Sequence, residues 1–404
     1  MNDTPLLQRP LQGVRVLDLS SYISGPFCTA LLAEFGAEVI KLELPKVGDP
    51  FRRFGTPTKG SDTLIFLSEQ RNKKSVTLDL RTKEGAAIVK RLVPQVEVVV
   101  ENFQVGTLER WGLGYETLRA LNPRLVMLRI TGYGQTGPYR DRPGFGRIAN
   151  AFGGLAFLAG YPDRPPVTPG SATLPDYLSG IFGAYGVLLA LRARDATGEG
   201  QVIDIGLYET VFRILDEVAS AYHYTGRIRQ RMGPATTNAV PHSHYPTKDG
   251  RWVAIACTTD KIFERLAVAM GRPEVAAGGK YTTYAQRAAA RDEVDAFVAH
   301  WTTGLDRDQV LSTCDAHQVP CGSVYGIDEI FQDPQYRARE NIRIVDDPRV
   351  GQIAVPNVVP RLSRTPGGID ALGPTLGQHN QEILGDLLGI SAEEQAALRE
   401  KGVI

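Results

Sequence analysis

Two spacings of apolar residues alternate along the first half of the chain. Residues 14–19 (VRVLDL) form a short apolar, β-branched run that predicts a buried strand. Residues 26–35 (PFCTALLAEF) change to a helical spacing, begin at a proline and stop before Gly36, the usual signs of a helix start and of its C′ position. The strand signature returns at 38–44, 75–80, 96–100 and 125–131, and the helical one at 83–93 and 107–121. Strand–helix–strand alternation of this kind predicts an α/β fold with a parallel sheet covered by helices. The Gly- and Pro-rich stretch 132–171 predicts a long loop, which is either functional or conceals further elements. A long helix at 175–195, a strand at 201–207 and a helix at 208–224 follow. The pattern then breaks into a basic, Pro-bearing segment at 225–246, a linker or active-site loop. Residues 245–323 read as a smaller α+β unit, 352–360 as extended edge structure and 378–401 as a closing helical pair.

Length and charge narrow the class. A chain of 404 residues has room for two domains. The 45 Lys and Arg balance 45 Asp and Glu, so a polyanion would have to meet a local basic patch rather than a general field. Cys28, Cys257, Cys314 and Cys321 lie far apart without CxxC or Cys/His spacing, which argues against a disulfide framework or zinc site. Residues 1–5 have no basic and apolar leader pattern, and no 18-residue apolar run is free of charge. A reducing cytoplasm is the expected location, with neither nucleic acid nor membrane as partner.

The chemistry-bearing positions are few. After the first strand the chain reads Ser20-Ser21-Tyr22-Ile23-Ser24-Gly25-Pro26, not the GxGxxG of a dinucleotide fold. Gly25-Pro26 is either an ordinary turn or a helix start whose free N–H groups meet an anion. Neither a Walker A loop nor a GxSxG elbow is present. His242 and His244 flank one residue like a metal pair, but no further ligands stand nearby, so no metal is expected. Asp176 opens the longest apolar helix. It reads either as an N-cap or as a carboxylate that the helix N-terminus keeps ionised, fit to attack an activated acyl group. Arg71, Lys73, Lys74, Arg81 and Arg110 are either solvated surface or contacts for a phosphorylated carrier.

A collinear set of motifs adds to this reading. It runs through Leu11-Gln-Gly-Val-Arg-Val-Leu-Asp18, Gly25-Pro26, Gly36-Ala-Glu-Val-Ile-Lys41, Gly48-Asp49, Asn72-Lys-Lys-Ser75-Val-Thr-Leu-Asp79 and Glu101-Asn-Phe103. It continues in Gly132-Tyr-Gly-Gln135-Thr-Gly-Pro138, Gly198-Glu-Gly-Gln-Val202, Thr247-Lys-Asp-Gly250, Val319-Pro-Cys-Gly322 and Leu376-Gly-Gln-His379. In order and spacing the chain resembles the family III CoA-transferases. The resemblance implies a large Rossmann-like domain from residues 1–225 with 323–404, a small domain from 226–322, and an interlocked dimer. It implies CoA thioesters as substrates, no permanently bound cofactor, and Asp176 as a nucleophile that carries CoA as an aspartyl thioester. Carried over by position, Tyr22, Ile23 and Ser24 fall in the CoA-binding turn. Leu78 and Arg81 fall at the adenine end, Asn102 and Phe103 along the CoA path, and Arg110 at a cationic CoA contact.

Two departures stand out. Gly146 in Gly144-Phe145-Gly146 replaces an acidic residue of the family, and Gln378 replaces a glutamate before His379. The glycine-rich tongue of the oxalate enzyme is missing after Lys248, and Ile23 occupies that enzyme's glutamine position, which argues against oxalate. Phe145 stands where the family's racemases keep their catalytic histidine, so racemisation of a 2-methylacyl-CoA would lack its second acid/base. Arg227, Arg229 and Arg231, with His242 and His244, lie in the segment that the family places near the acyl pocket. They are either an exposed basic linker or carboxylate ligands. Within the family the likeness is to the succinyl-CoA-dependent malate and citramalate transferases, so succinyl-CoA is the expected donor and a C4–C5 dicarboxylate the acceptor. A non-catalytic CoA-binding subunit, supporting a homologous active partner, is the alternative that Gly146 and Gln378 motivate.

Overall fold

The computed structural model describes residues 9–60, 62–168, 170 and 173–404. Residues 1–5, read above for a leader, lie outside them, as do Pro169, Ser171 and Ala172 in the segment before Asp176. The chain forms two units, Phe157–Val167 with Ile228–Arg337, and the remainder.

The larger unit starts with β1 (Arg15–Asp18), α1 (Ser24–Glu34), β2 (Glu38–Glu43), α2 (Leu64–Glu69), β3 (Lys73–Thr77), α3 (Lys83–Leu92) and β4 (Val98–Glu101). It continues with α4 (Thr107–Arg110), α5 (Tyr115–Leu121), β5 (Val126–Thr131), α6 (Gly146–Phe152), the first half of α7 (Leu155–Leu158), α8 (Leu174–Thr197), β6 (Val202–Gly206), α9 (Leu207–Arg213) and α10 (Val218–Thr225). The six strands form one parallel sheet in the order β3-β2-β1-β4-β5-β6, the doubly wound Rossmann order. Neighbouring residues on each strand bury opposite ways. Leu17, Ile40, Val99 and Met127 pack with α3, α5 and the C-terminal residues Ile383, Leu384 and Val403. Val16, Val39, Val98 and Val126 pack with α1 and α8 on the other face. Burial on both faces explains why these strands read as unbroken apolar runs.

Several expectations are corrected. The helix at 107–121 splits into α4 and α5, because Gly112 turns the chain at φ +70° and Gly114 caps the second piece. The helix at 208–224 splits into α9 and α10 around Asp216, whose φ is 55°. The loop at 132–171 contains α6 and α7. The strand placed at 75–80 begins at Lys73, since both Lys73 and Lys74 find carboxylate partners in the fold.

Helix α8 lies against α1 at glycine distance. A Cβ on Gly180 would stand 2.8 Å from Phe27 Cδ1, 3.0 Å from the Ser24 carbonyl oxygen and 3.2 Å from the Cys28 nitrogen. Two of these are backbone atoms, so the helices would have to part. Alanine favours a helix over glycine by about 1 kcal/mol, whereas overpacking costs about 1–3 kcal/mol. Gly180→Ala is therefore expected to lower the melting temperature and the turnover number together. A rise in melting temperature would show that propensity wins.

The smaller unit is α+β. β7 (His242–Pro246), β8 (Trp252–Ala256) and β9 (Cys321–Ser323) form an antiparallel sheet. Tyr245, Val253 and Ile255 pack against Phe263, Leu266, Val294, Val298 and Val310 from its helices. In the larger unit, residues 352–360 contribute to a hairpin, Ile342–Asp347 with Gly351–Pro356. The closing segment returns to β3, where His379 Nδ1 accepts from Ser75 N at 3.1 Å and Asn380 Oδ1 from Thr77 N at 2.9 Å.

Candidate active site

In a parallel sheet all strands end on one edge, where the connections to the following helices open a crevice. Here the edge holds a cleft of about 270 Å³. Its apolar wall is Leu19, Leu42, Leu78, Leu80 and Phe103, residues near or just beyond the ends of β1, β2, β3 and β4, with Trp111 from the end of α4; Asp49 and Arg81 also line it. Phe103 and Trp111 meet edge to face, with centroids 5.1 Å apart. Of the positions singled out from sequence, Leu78, Arg81 and Phe103 line this cleft; Tyr22, Ile23, Ser24, Asn102 and Arg110 do not. Arg81 is exposed and paired to Asp79 at 2.7 Å. Arg110 Nη2 donates to Thr107 Oγ1 at 2.8 Å, next to the lining Trp111.

The turn from Ser20 to Ser24 runs from the cleft to helix α1. Ser20 and Ser21 line the cleft, and Asn102 clasps the turn: its Oδ1 accepts from Ser21 N at 2.9 Å and its Nδ2 donates to Ser21 O at 2.7 Å. Tyr22 holds a left-handed φ of 62°, and its N–H donates to Asp49 Oδ1 at 3.2 Å. Ile23 and Ser24 are buried. Gly25 admits no side chain, because a Cβ there would lie 2.3 Å from Ser20 Oγ. The same turn reaches α8, where the Ser24 carbonyl faces Gly180.

Asp176 sits in the first turn of α8. The N-cap is Thr173, whose carbonyl accepts from Asp176 N at 3.0 Å, so the N-cap reading of the aspartate is corrected. The carboxyl is half-buried, and its expected ionisation by the helix end is only partly met. Burial pushes its pKa up from 3.8 to about 6, against a lowering by its own backbone N–H. Phe27 and Tyr177, the residue after Asp176, meet edge to face at 4.8 Å, and both pack against the apolar cluster of Ile23, Phe51 and Phe66. At neutral pH the group is a desolvated carboxylate, more basic than an exposed aspartate and correspondingly more nucleophilic.

Arg71 before β3, and Lys73 and Lys74 at its start, are not free for a carrier. Arg71 pairs with Glu34 at 2.7 Å, Lys73 with Asp18 at 3.0 Å, and Lys74 with Glu38 and Glu382 at 2.6 Å each. Gln378 acts locally, since its Oε1 accepts from Thr375 N at 3.0 Å, a bond that an amide makes as well as a carboxylate. Gly146 is buried at the start of α6, and Phe145 before it is exposed. In the smaller unit Arg231 donates to the carbonyls of Phe157 at 2.9 Å and Tyr161 at 3.2 Å, while His242 and His244 lie on β7. In the larger unit Arg227 is exposed. Among the described residues no three His, Cys, Asp or Glu side chains gather as metal ligands. The sequence reading placed Leu78 at the site but missed Trp111, Leu19, Leu42 and Leu80, of which Leu19 and Leu80 carry the signal of a place just after a strand.

Comparison with known proteins agrees with this architecture. Residues 11–380 match the profile of CoA-transferase family III. The chain is 52% identical to the alpha subunit of succinyl-CoA–L-malate CoA-transferase from Chloroflexus aurantiacus, covering 98% of this chain and 93% of that one. It is 52% identical to the beta subunit and 50% identical to succinyl-CoA–D-citramalate CoA-transferase of the same organism, each over 98% of both chains. A CAIB/BAIF family protein from Brucella suis superposes with a TM-score of 0.83 at 34% identity, covering 94% of this chain and 100% of that one. A fold with its cleft at the sheet edge, matched nearly end to end by these relatives, makes the chain a member of the family III CoA-transferases.

Proposed function

We propose that the protein moves CoA from succinyl-CoA to malate or citramalate by way of a thioester on Asp176. The observation that carries this reading is the placement of Asp176: a half-buried carboxylate with pKa about 6, on the helix that packs against the turn leading from the cleft. The cleft takes the adenosine end of CoA between its leucines and the Phe103–Trp111 pair, with Arg81 at the phosphates. The pantetheine arm follows the Ser20–Ser24 turn toward α8. The relatives' activities on succinyl-CoA, malate and citramalate support the choice of acids.

An Asp176 oxygen attacks the thioester carbonyl of succinyl-CoA, the C–S bond breaks, and a mixed anhydride and CoA thiolate result. The thiolate attacks the Asp176 carbonyl and expels succinate, which leaves with one aspartyl oxygen. A carboxylate of the acceptor attacks the aspartyl thioester and releases thiolate again. That thiolate attacks the acceptor's carbonyl, giving the new acyl-CoA and restoring Asp176 with one acceptor oxygen. Each acyl transfer passes through a tetrahedral oxyanion, which backbone N–H groups would stabilise.

The test is direct. Turnover with acceptor labelled by 18O in its carboxylates is expected to leave label on the peptide carrying Asp176, and hydroxylamine added after succinyl-CoA to convert that side chain to a hydroxamate. Label or hydroxamate at another residue, or at none during turnover, overturns the assignment.

A second chain is part of the proposal. Ile181, Tyr185, Leu188 and Leu189 form an exposed apolar stripe along α8, a helix long and apolar enough to cross a bilayer by length and composition alone. A stripe of this length favours cover by another protein surface, and the alpha and beta subunits among the relatives favour a second copy or a homologous subunit. The loss of a carboxylate at Gly146 fits a division of labour in the second case. An unmodified Asp176 in the purified chain, with CoA still bound, would favour that partner-dependent reading.

A further inference from the structure

Lys73 is 4% exposed, at the start of β3, and an ammonium has three protons to donate. Three acceptors surround it: Asp18 Oδ2 at 3.0 Å, the Pro26 carbonyl at 2.7 Å and Gln70 Oε1 at 2.7 Å. Its donors are used up, and none is left for a substrate phosphate. What it touches is informative. Pro26 lies in the first turn of α1, and Asp18 holds the same region from the other side. Asp18 Oδ2 accepts from Thr29 Oγ1 at 2.8 Å, and its Oδ1 from Ser20 N at 3.0 Å and Ser20 Oγ at 2.5 Å.

The neighbouring Lys41, 1% exposed, works on the cleft side instead. It donates to the Ser20 carbonyl at 2.9 Å and pairs with Asp49 at 2.8 Å, the residue that also receives the Tyr22 N–H. The start of α1 is thus pinned to the sheet by Lys73 and Asp18 while α8 presses on it through Gly180.

Resting on the reading of Asp176 as the acyl carrier, we propose that Lys73 is a positioning residue for the transfer step: it fixes the first turn of α1 opposite the helix that carries Asp176. An apolar side chain of the same length would fill the space yet leave the Pro26 carbonyl and Gln70 Oε1 without this donor and take one of two cations from the buried Asp18 carboxylate, which keeps Ser20, Thr29 and Lys41 at 4.0 Å. The Lys73–Pro26 bond does not reach the cleft, so CoA binding and acyl transfer are expected to separate.

The experiment compares wild type, Lys73→Met, the charge-neutral pair Asp18→Asn with Lys73→Met, and Asp176→Asn. Each is assayed for folded fraction, for CoA affinity and for kcat per folded molecule with succinyl-CoA. Lys73→Met is expected to lose about 30-fold in kcat, with CoA affinity within threefold of wild type. The double variant, which leaves no lone buried charge, is expected to fold and to remain slow. Full activity per folded molecule in the double variant, or a loss of CoA affinity that matches the loss of rate, overturns the positioning role. Normal turnover by Asp176→Asn overturns the underlying assignment instead, so the two failures are told apart.

Discussion

Asp176→Asn is expected to lose at least about ten-thousand-fold in kcat while gaining stability at neutral pH. The rate loss follows from chemistry: an amide at this position cannot form the anhydride or the thioester, and removal of a nucleophile costs of this order in other covalent enzymes. The stability gain follows from the raised pKa. A carboxyl with pKa 3.8 when unfolded and about 6 when folded is penalised in its charged form by the fold. Below about pH 3.8 the group is protonated in both states and the penalty is absent; above about pH 6 it is present in full. A shift of that size corresponds to roughly 2–3 kcal/mol, and burying the asparagine amide returns part of it. The net gain expected at pH 7 is about 1–2 kcal/mol, fading as the pH is lowered toward 4. In the wild type the same pKa predicts that kcat/KM falls tenfold per pH unit below about 6, because the protonated acid is no nucleophile. Melting curves at several pH values and a pH–rate profile check both halves. A variant with a tenth of wild-type turnover would remove Asp176 from the chemistry.

Glu43→Ala is expected to destabilise the larger unit by about 3–5 kcal/mol. Glu43 Oε1 accepts from Arg52 Nη2 at 2.7 Å and Ser75 Oγ at 2.6 Å, and its Oε2 from Arg52 Nε at 2.7 Å and Asp49 N at 2.9 Å. Arg52 is buried, bound at its other edge to Asp62 at 3.0 Å and stacked 3.9 Å over the Phe66 ring. Truncation leaves most of a guanidinium, a hydroxyl and an N–H without partners in the interior, which costs far more than an exposed pair would. For a unit of this size the loss corresponds to a fall in melting temperature on the order of 10 °C. CoA affinity is expected to fall as well, since Glu43, Asp49 and Pro50 all line the cleft. Burial raises the Glu43 pKa, but Arg52 outweighs it and holds the carboxyl below 4.5. Its contribution is therefore complete above pH 4.5 and is lost as the pH falls through the depressed value. A melting temperature unchanged from wild type at pH 7 would show that the network carries no net stability.

Most of the sheet was legible because a strand buried on both faces needs a continuous apolar run, as at Val98–Glu101 and Val126–Thr131. Where the reading failed, it failed for a local reason. Gly112 and Asp216 supply positive φ angles that end helices whose apolar spacing continues across the break. Lys73 and Lys74 look like surface charge in a linear reading, since nothing in the sequence announces that acceptors from residues 18, 26 and 70 converge on one ammonium. Gln378 looks like a lost carboxylate until its bond to Thr375 N shows what the amide holds in place.

Taken alone, the sequence determined the alternation of strands and helices, the family, and the identity of Asp176 as the residue to watch, because these rest on local spacing and ordered motifs. The tertiary structure decided what those residues experience. Desolvation raises the Asp176 pKa, leucines from the ends of three strands meet Phe103 and Trp111 as one cleft, and Lys73 of β3 turns inward. Dielectric, cavity and hydrogen-bond saturation depend on atoms brought together from distant parts of the chain, and no run of neighbouring letters encodes that convergence.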